Sequence, residues 1–124
     1  MKPKRPVYLD LLRIRLPITA KVSLLHRISG TLLALVTPLV IYLVDLSLVD
    51  AESYERAVVL LQSGLIKVLL VAALWALLHH LLSGIRFLLI DMEVGVDIET
   101  ARRSAKWVTL GALGATLLLA LLLL

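Results

Sequence analysis

Three long stretches without a charged residue dominate the pattern of polar and apolar positions along the chain. They run from Ile28 to Val44, from Val68 to Ile85 and from Trp107 to Leu124. Each is close to the roughly 20 apolar residues with which a helix crosses about 30 Å of hydrocarbon. None alternates polar and apolar residues as a membrane β-strand does, and a closed barrel needs at least about eight strands. The pattern therefore predicts an all-α membrane protein with three transmembrane helices.

The predicted elements form a single transmembrane anchor domain over residues 1–124. We expect an N-terminal arm over residues 1–22 and helices over about 23–48, 58–90 and 104–124. Pro38 lies inside the first span and predicts a kink, because proline lacks a backbone N–H and its ring clashes with the preceding turn. The segment from Asp45 to Arg56 predicts a polar hairpin, and the segment from Asp91 to Lys106 predicts a second short loop.

Composition agrees with a membrane location. The chain is 60% hydrophobic, its mean hydropathy is +1.00, and 124 residues are too few to hide so many leucines in a water-soluble core. The absence of cysteine excludes disulfides and thiolate metal sites. The net charge of +4 does not indicate nucleic acid as a partner, because the basic residues flank the apolar spans.

The distribution of lysine and arginine predicts the orientation. Seven of these residues lie between the N-terminus and Arg27, whereas the first loop has only Arg56, with Lys67 expected to snorkel to the same side. Arg86, Arg102, Arg103 and Lys106 lie at the end of the second span and in the second loop. The N-terminus is therefore predicted inside and the C-terminus outside. The basic arm is longer than the charged region of a signal peptide and lacks a cleavage site. It is therefore predicted to lie on the cytoplasmic surface.

A first group of polar residues stands where the first span begins. Ser23, His26 and Arg27 are spaced i, i+3 and i+4, so they share one face of a helix. One interpretation is a positive-inside flank with an interfacial histidine. The other is a polar pocket for a ligand that is otherwise buried in lipid.

A second group lies in the second span, between Leu78 and Arg86. His80 is six residues from Arg86, which places it about 9 Å deeper in the membrane. Ionisable residues at that depth indicate a functional site, and a neutral imidazole is a common ligand of haem iron. The alternative is a histidine that hydrogen-bonds between packed helices.

The neighbours of His80 favour haem. Small residues on both sides of a histidine leave a flat slot, and one stripe at helical spacing contains Ala73, Ala76, His80, Gly84 and Phe87. His79 points about 100° away, alongside Trp75 and Arg86, and is expected to face a partner or a polar contact on the lipid side. His26 is predicted to lie about two turns from His80, too far to be the second axial ligand. The second ligand would then come from another chain, and His26 and Arg27 would contact acidic groups at the cofactor's rim.

Three stretches resemble the large cytochrome b-type membrane-anchor subunit of succinate dehydrogenase. They are RPVYLDLLRIRLPITAKVSLLHRISG near the N-terminus, HHLLSGIRFLLID in the second span and RSAK before the third. The resemblance implies a subunit that shares one haem b with a second small three-helix anchor, in a bacterial inner membrane. It also implies an iron–sulfur subunit on the cytoplasmic face, a flavoprotein subunit that oxidises succinate in the tricarboxylic acid cycle, and reduction of ubiquinone or menaquinone.

The resemblance also implies roles for individual residues. His80 matches the axial ligand of the haem iron, and His26 and Arg27 match contacts to the haem propionates. Ser23 and Arg27 match residues at the quinone head group, and Asp91 matches an acid near that site. Phe87 departs from the pattern, since some relatives have histidine there.

Other functions stay open at this point. The chain has no flavin, iron–sulfur or succinate motif, so it is expected to be non-catalytic alone. A fumarate reductase anchor that uses quinol, or a structural membrane anchor without cofactor, would show the same spans. A channel is disfavoured, because the third span offers only Thr109 and Thr116 to line a pore.

Overall fold

The computed structural model describes residues 14–123, which form four α-helices and no strand. These are α1 (Ile18–Ser47), α2 (Ala51–Leu61), α3 (Gly64–Asp91) and α4 (Ile98–Leu123). Helices α1, α3 and α4 are long and apolar enough to cross a membrane. The predicted all-α class and the three membrane spans are thus confirmed. The first 13 residues of the predicted arm lie outside the described residues.

Side-chain caps explain where two of the helices begin. Asp50 Oδ1 accepts a hydrogen bond from the backbone N–H of Ser53 (2.7 Å) and starts α2. Asp97 Oδ1 accepts from the backbone N–H of Thr100 (2.9 Å) and starts α4. These bonds hold the pKa of both carboxyl groups below the ordinary value, because each stabilises the charged form.

The helix ends differ from those expected. Helix α1 begins at Ile18, directly after the extended Pro17, rather than near residue 23, and α4 begins at Ile98 rather than near residue 104. Helix α2 occupies much of the predicted hairpin, and the second span begins at Gly64, behind the Ser63 cap. The expected limits were set from hydropathy and charge, whereas caps and proline decide where a helix starts.

The helices approach one another through small and polar residues. The buried apolar residues of the described chain are Val22, Ala57, Ala76, Ala105 and Ala112. Large aliphatic side chains point outward instead, as at Leu35 (71% exposed) and Leu121 (86% exposed). This pattern is typical of a helical membrane protein, in which close backbone packing holds the helices together and lipid or a partner subunit covers the leucines.

The α1–α3 and α3–α4 pairs are antiparallel. Gly30 and His26 of α1 face His80 and Gly84 of α3, respectively, and Arg86 of α3 contacts the beginning of α4. The start of α1, the end of α3 and the start of α4 therefore lie at one end of the bundle, which we call the near end.

Candidate functional site

The imidazole of His80 is anchored to α1 in the near half of the bundle. Its Nδ1 lies 3.1 Å from the carbonyl oxygen of His26 and 3.3 Å from Ser29 Oγ. A carbonyl oxygen only accepts, so His80 Nδ1 is assigned as the donor. With the proton on Nδ1, the lone pair of the imidazole is on Nε2.

Gly30 allows this close approach. A Cβ atom at that position would lie 2.8 Å from His80 Cε1 and 3.2 Å from Nδ1, too close for either atom to stay where it is. Ser29 is fully buried, and its hydroxyl also donates to the His26 carbonyl oxygen (2.9 Å). Neither Ser29 nor Gly30 was singled out from the sequence as a site residue, although both lie in the HRISG stretch that directly follows the predicted group.

His26 stacks on His80. The two rings are nearly parallel, with 9° between their planes and 4.1 Å between their centroids. The expected separation of two turns along the membrane normal is therefore wrong. It was measured from the charged residues, whereas α1 starts earlier and α3 ends later than those residues indicated. Phe87 also packs against the His26 ring, with 5.2 Å between the ring centroids.

His79 lies on a different face of α3 and is completely buried by this chain. Its Nδ1 is 3.4 Å from Ser83 Oγ, and its ring centroid is 5.3 Å from that of Trp75. Its Nε2 has no hydrogen-bond partner among the described residues. The expectation that His79 faces a partner or lipid is wrong, because the residues around it close over the ring.

Arg86 is also buried, with 6% of its surface exposed. Its Nε donates to Ser104 Oγ (3.0 Å) and its Nη2 donates to the Ala101 carbonyl oxygen (3.0 Å). Its guanidinium carbon lies 5.5 Å from the centroid of the Phe87 ring. Arg86 therefore joins α3 to α4 rather than lying at the membrane surface as an exposed flank.

Of the three predicted quinone residues, only Ser23 and Arg27 lie close to each other along one helix. Ser23 is half-buried and Arg27 is exposed, one turn apart on α1. Asp91 is the exposed last residue of α3. Among the described residues, no hydrogen bond or ion pair joins Asp91 to Ser23 or Arg27.

An apolar cavity of about 220 Å³ opens between α1 and α3, one helical turn from His80. Its lining includes Leu33, Val36, Val40, Ala73 and Ala76, and no charged residue. Two of the small residues predicted to flank His80 thus line an apolar space. A ring nitrogen of His80 is thus held by contacts to α1, one helical turn from an apolar space between the same two helices.

Comparisons of the whole chain with known proteins point to one family. A sequence model of the family described as "Succinate dehydrogenase/Fumarate reductase transmembrane subunit" matches residues 1–120. A succinate dehydrogenase cytochrome b556 subunit from Coxiella burnetii is 42% identical over 106 residues, 85% of each chain. The subunit of that name from Paracoccus denitrificans is 31% identical over 108 residues, 87% of this chain and 83% of its own. The one from Rickettsia felis is 30% identical over 116 residues, 94% of this chain and 90% of its own.

The three apolar spans define a multi-pass helical membrane protein whose polar contacts gather in the near half of the bundle. The chain belongs to the succinate dehydrogenase/fumarate reductase transmembrane-subunit family. Within it, the chain is a membrane-anchor cytochrome b subunit, a component of a complex rather than an enzyme by itself. The resemblance drawn from the sequence motifs is confirmed.

Proposed function

We propose that this chain binds haem b in the membrane anchor of a succinate dehydrogenase, with His80 Nε2 as an axial ligand of the iron. The observation that carries the proposal is the 3.1 Å contact between His80 Nδ1 and the His26 carbonyl oxygen. Metal-bound histidines almost always donate their other ring N–H to a carbonyl or carboxylate, which fixes the tautomer and the ring orientation. The cytochrome b556 names of the relatives support the same cofactor.

The environment of His79 argues against it as the ligand. Its ring has no exposed surface, so a macrocycle would reach Nε2 only if the residues packed around it moved apart. His80 is only half-buried and lies one turn from the apolar cavity. The proposal therefore assigns the iron to His80 and a packing role to His79.

His26 does not supply the second axial ligand in this proposal. Axial ligands bind on opposite faces of the macrocycle, whereas the His26 and His80 rings are stacked in contact. A six-coordinate iron thus requires a ligand from another chain, which supports a haem shared with a second small three-helix anchor. His26 and Arg27 then contact the haem propionates from the near end.

The quinone site is proposed at the same end, with ubiquinone or menaquinone as substrate. Quinone reduction takes two electrons and two protons, and negative charge develops on the quinone oxygens. Arg27, exposed on α1, stabilises that charge, and Ser23 donates a hydrogen bond one turn away. Asp91 at the end of α3 is proposed as an acid near the site. Haem, when bound, supplies a one-electron redox centre beside these residues.

The near end is proposed to face the cytoplasm of a bacterium, as the lysine and arginine distribution predicts. The iron–sulfur subunit would dock there and pass on the electrons that the flavoprotein subunit takes from succinate. A fumarate reductase anchor remains the alternative within the family, because the direction of the reaction depends on the potentials of cofactors in other subunits.

A difference spectrum of the assembled complex, reduced minus oxidised, tests the haem assignment. We expect the band of a low-spin b-type haem in the complex, and no such six-coordinate haem when this chain is expressed alone. A complex with no haem band would overturn the proposal in favour of a structural anchor. Six-coordinate haem in the isolated chain would show that the second ligand does not come from a partner.

A further inference from the structure

A continuous series of contacts connects the beginning of α4 to the His26–His80 pair. Ala101 and Ser104 hold the Arg86 guanidinium, which lies 5.5 Å from the centre of the Phe87 ring. The Phe87 ring packs on His26 at 5.2 Å, and His26 stacks on His80 at 4.1 Å. The first step includes a backbone oxygen, that of Ala101, and the later steps join side chains.

The two contacts on His80 constrain different motions. The hydrogen bond at Nδ1 fixes one point of the imidazole but leaves the ring free to tilt about that bond. The face of His26 lies parallel to the His80 ring and removes that tilt. The direction of His80 Nε2 therefore depends on where His26 is held, and Phe87 lies against His26.

The burial of Arg86 indicates a role beyond joining two helices. The guanidinium is almost fully buried, and its two hydrogen bonds go to neutral oxygens. A buried charge without a carboxylate is costly, and a neutral side chain would bridge α3 and α4 without that cost. The planar guanidinium differs from a lysine ammonium, because its flat face lies over the Phe87 ring while its N–H groups donate to two acceptors.

We propose that Arg86 and Phe87 are positioning residues that hold His26 against His80 and thereby fix the direction of His80 Nε2. The proposal rests on the proposed haem site, since the direction of Nε2 matters only to a bound ligand. According to this proposal, residues at the contact between α3 and α4 also influence the orientation of the proposed ligand.

The midpoint potential of the haem in the assembled complex separates positioning from charge. Loss of a nearby positive charge disfavours the reduced haem and lowers the potential. A looser His80, with a weaker Nδ1–H···O bond, is a poorer donor to the oxidised iron, which raises the potential. Arg86→Lys keeps the positive charge but loses the planar guanidinium that lies over the Phe87 ring. Phe87→Leu keeps an apolar side chain but loses the aromatic ring.

We expect Arg86→Lys and Phe87→Leu each to raise the ratio of reduced to oxidised haem roughly threefold, or about 30 mV for one electron. The double variant should shift no further than either single variant, because both act through the same contact. Arg102→Gln, which removes an exposed arginine at the same end of α4, is the matched control and should leave the potential unchanged.

Three outcomes would contradict the inference. Arg86→Lys and Phe87→Leu could lower the yield of complex without changing the midpoint potential, which would show that both residues contribute only to packing. Arg86→Lys could keep the wild-type midpoint potential while Arg86→Gln lowers it, which would show that Arg86 acts through its charge and not through positioning. A wild-type complex without haem would overturn the proposed function first, and the inference with it.

Discussion

His79 and His80 are neighbours in the sequence, yet His80 faces α1 whereas His79 lies on the face of α3 that also contains Arg86. His80 has a carbonyl and a hydroxyl partner on Nδ1 and lies near an apolar cavity. His79 has only Ser83 near Nδ1, no described partner for Nε2, and no exposed surface. The same side chain is thus half-buried on one face, where we propose a ligand, and fully buried on the other. Partners and access, rather than residue type, distinguish a ligand site from a packing site.

The substitution His80→Leu tests the difference between the two histidines most directly. It removes the nitrogen that we assign to the iron, so we expect the haem band of the assembled complex to be lost or strongly altered. The absorption spectrum of the purified complex measures this, with the subunit content checked on a gel. If His80→Leu kept the wild-type spectrum while His79→Leu lost it, the assignment of the two faces would be reversed.

The α1 side also carries the proposed quinone contacts, which gives the second-largest expected effect. Arg27→Leu should lower quinone-linked turnover on the order of 10²–10³-fold, because it removes a donor to charge that develops during reduction. Ser23→Ala should have a smaller effect of about fivefold, as expected for one neutral hydrogen bond of about 1 kcal/mol.

The control for Arg27 is turnover with a dye that accepts electrons upstream of the quinone. Dye-linked succinate oxidation should be unchanged in both variants, since the flavin and iron–sulfur centres are in other chains. The haem spectrum must be recorded in the same samples, because Arg27 is also proposed to contact a propionate. A parallel fall of both activities in an assembled complex would place the quinone site elsewhere.

Gly30→Ala tests the close approach of His80 to α1. The added Cβ would lie 2.8 Å from His80 Cε1, so the ring must move away from the His26 carbonyl oxygen. Loss of such a supporting hydrogen bond commonly weakens metal binding about tenfold or more, so haem should be released more readily. Gly114→Ala is the matched control, because a Cβ there meets no atom within 4 Å. Equal haem retention in the two variants would mean that the contact with α1 does not hold the ligand.

Much of this fold was predictable from the sequence, because membrane spans follow from long uncharged apolar stretches. The stripe that contains His80, Gly84 and Phe87 was also predictable, since helical spacing alone decides which residues share a face. The stacking of His26 on His80 was not, because the relative depth of two helices depends on their packing and their caps. Helix α2 was missed for a similar reason: Asp50 caps its start in a segment whose acids predicted a loop.

The burial of His79 and Arg86 escaped prediction, and that of Arg86 depends on α4. Periodicity placed both on one face of α3, but it gave no sign of what covers that face. Ser104 and the Ala101 carbonyl oxygen meet Arg86 only after α4 packs on α3. The RSAK stretch could have indicated part of this contact, since it contains Ser104, which accepts a hydrogen bond from Arg86.

His79→Leu should have the smallest effect and sharpens the comparison most. The buried Nε2 lacks a partner among the described residues, and an unsatisfied buried polar group costs about 1–3 kcal/mol of stability. Leucine removes that penalty and fills most of the space, at the loss of the contact with Ser83. We therefore expect the haem spectrum to be retained and the resistance of the complex to urea to be unchanged or slightly higher. His79→Ala, which leaves a cavity instead, should lower that resistance. If His79→Leu were as destabilising as His79→Ala, the imidazole would be making a polar contact that the packing of this chain alone does not explain.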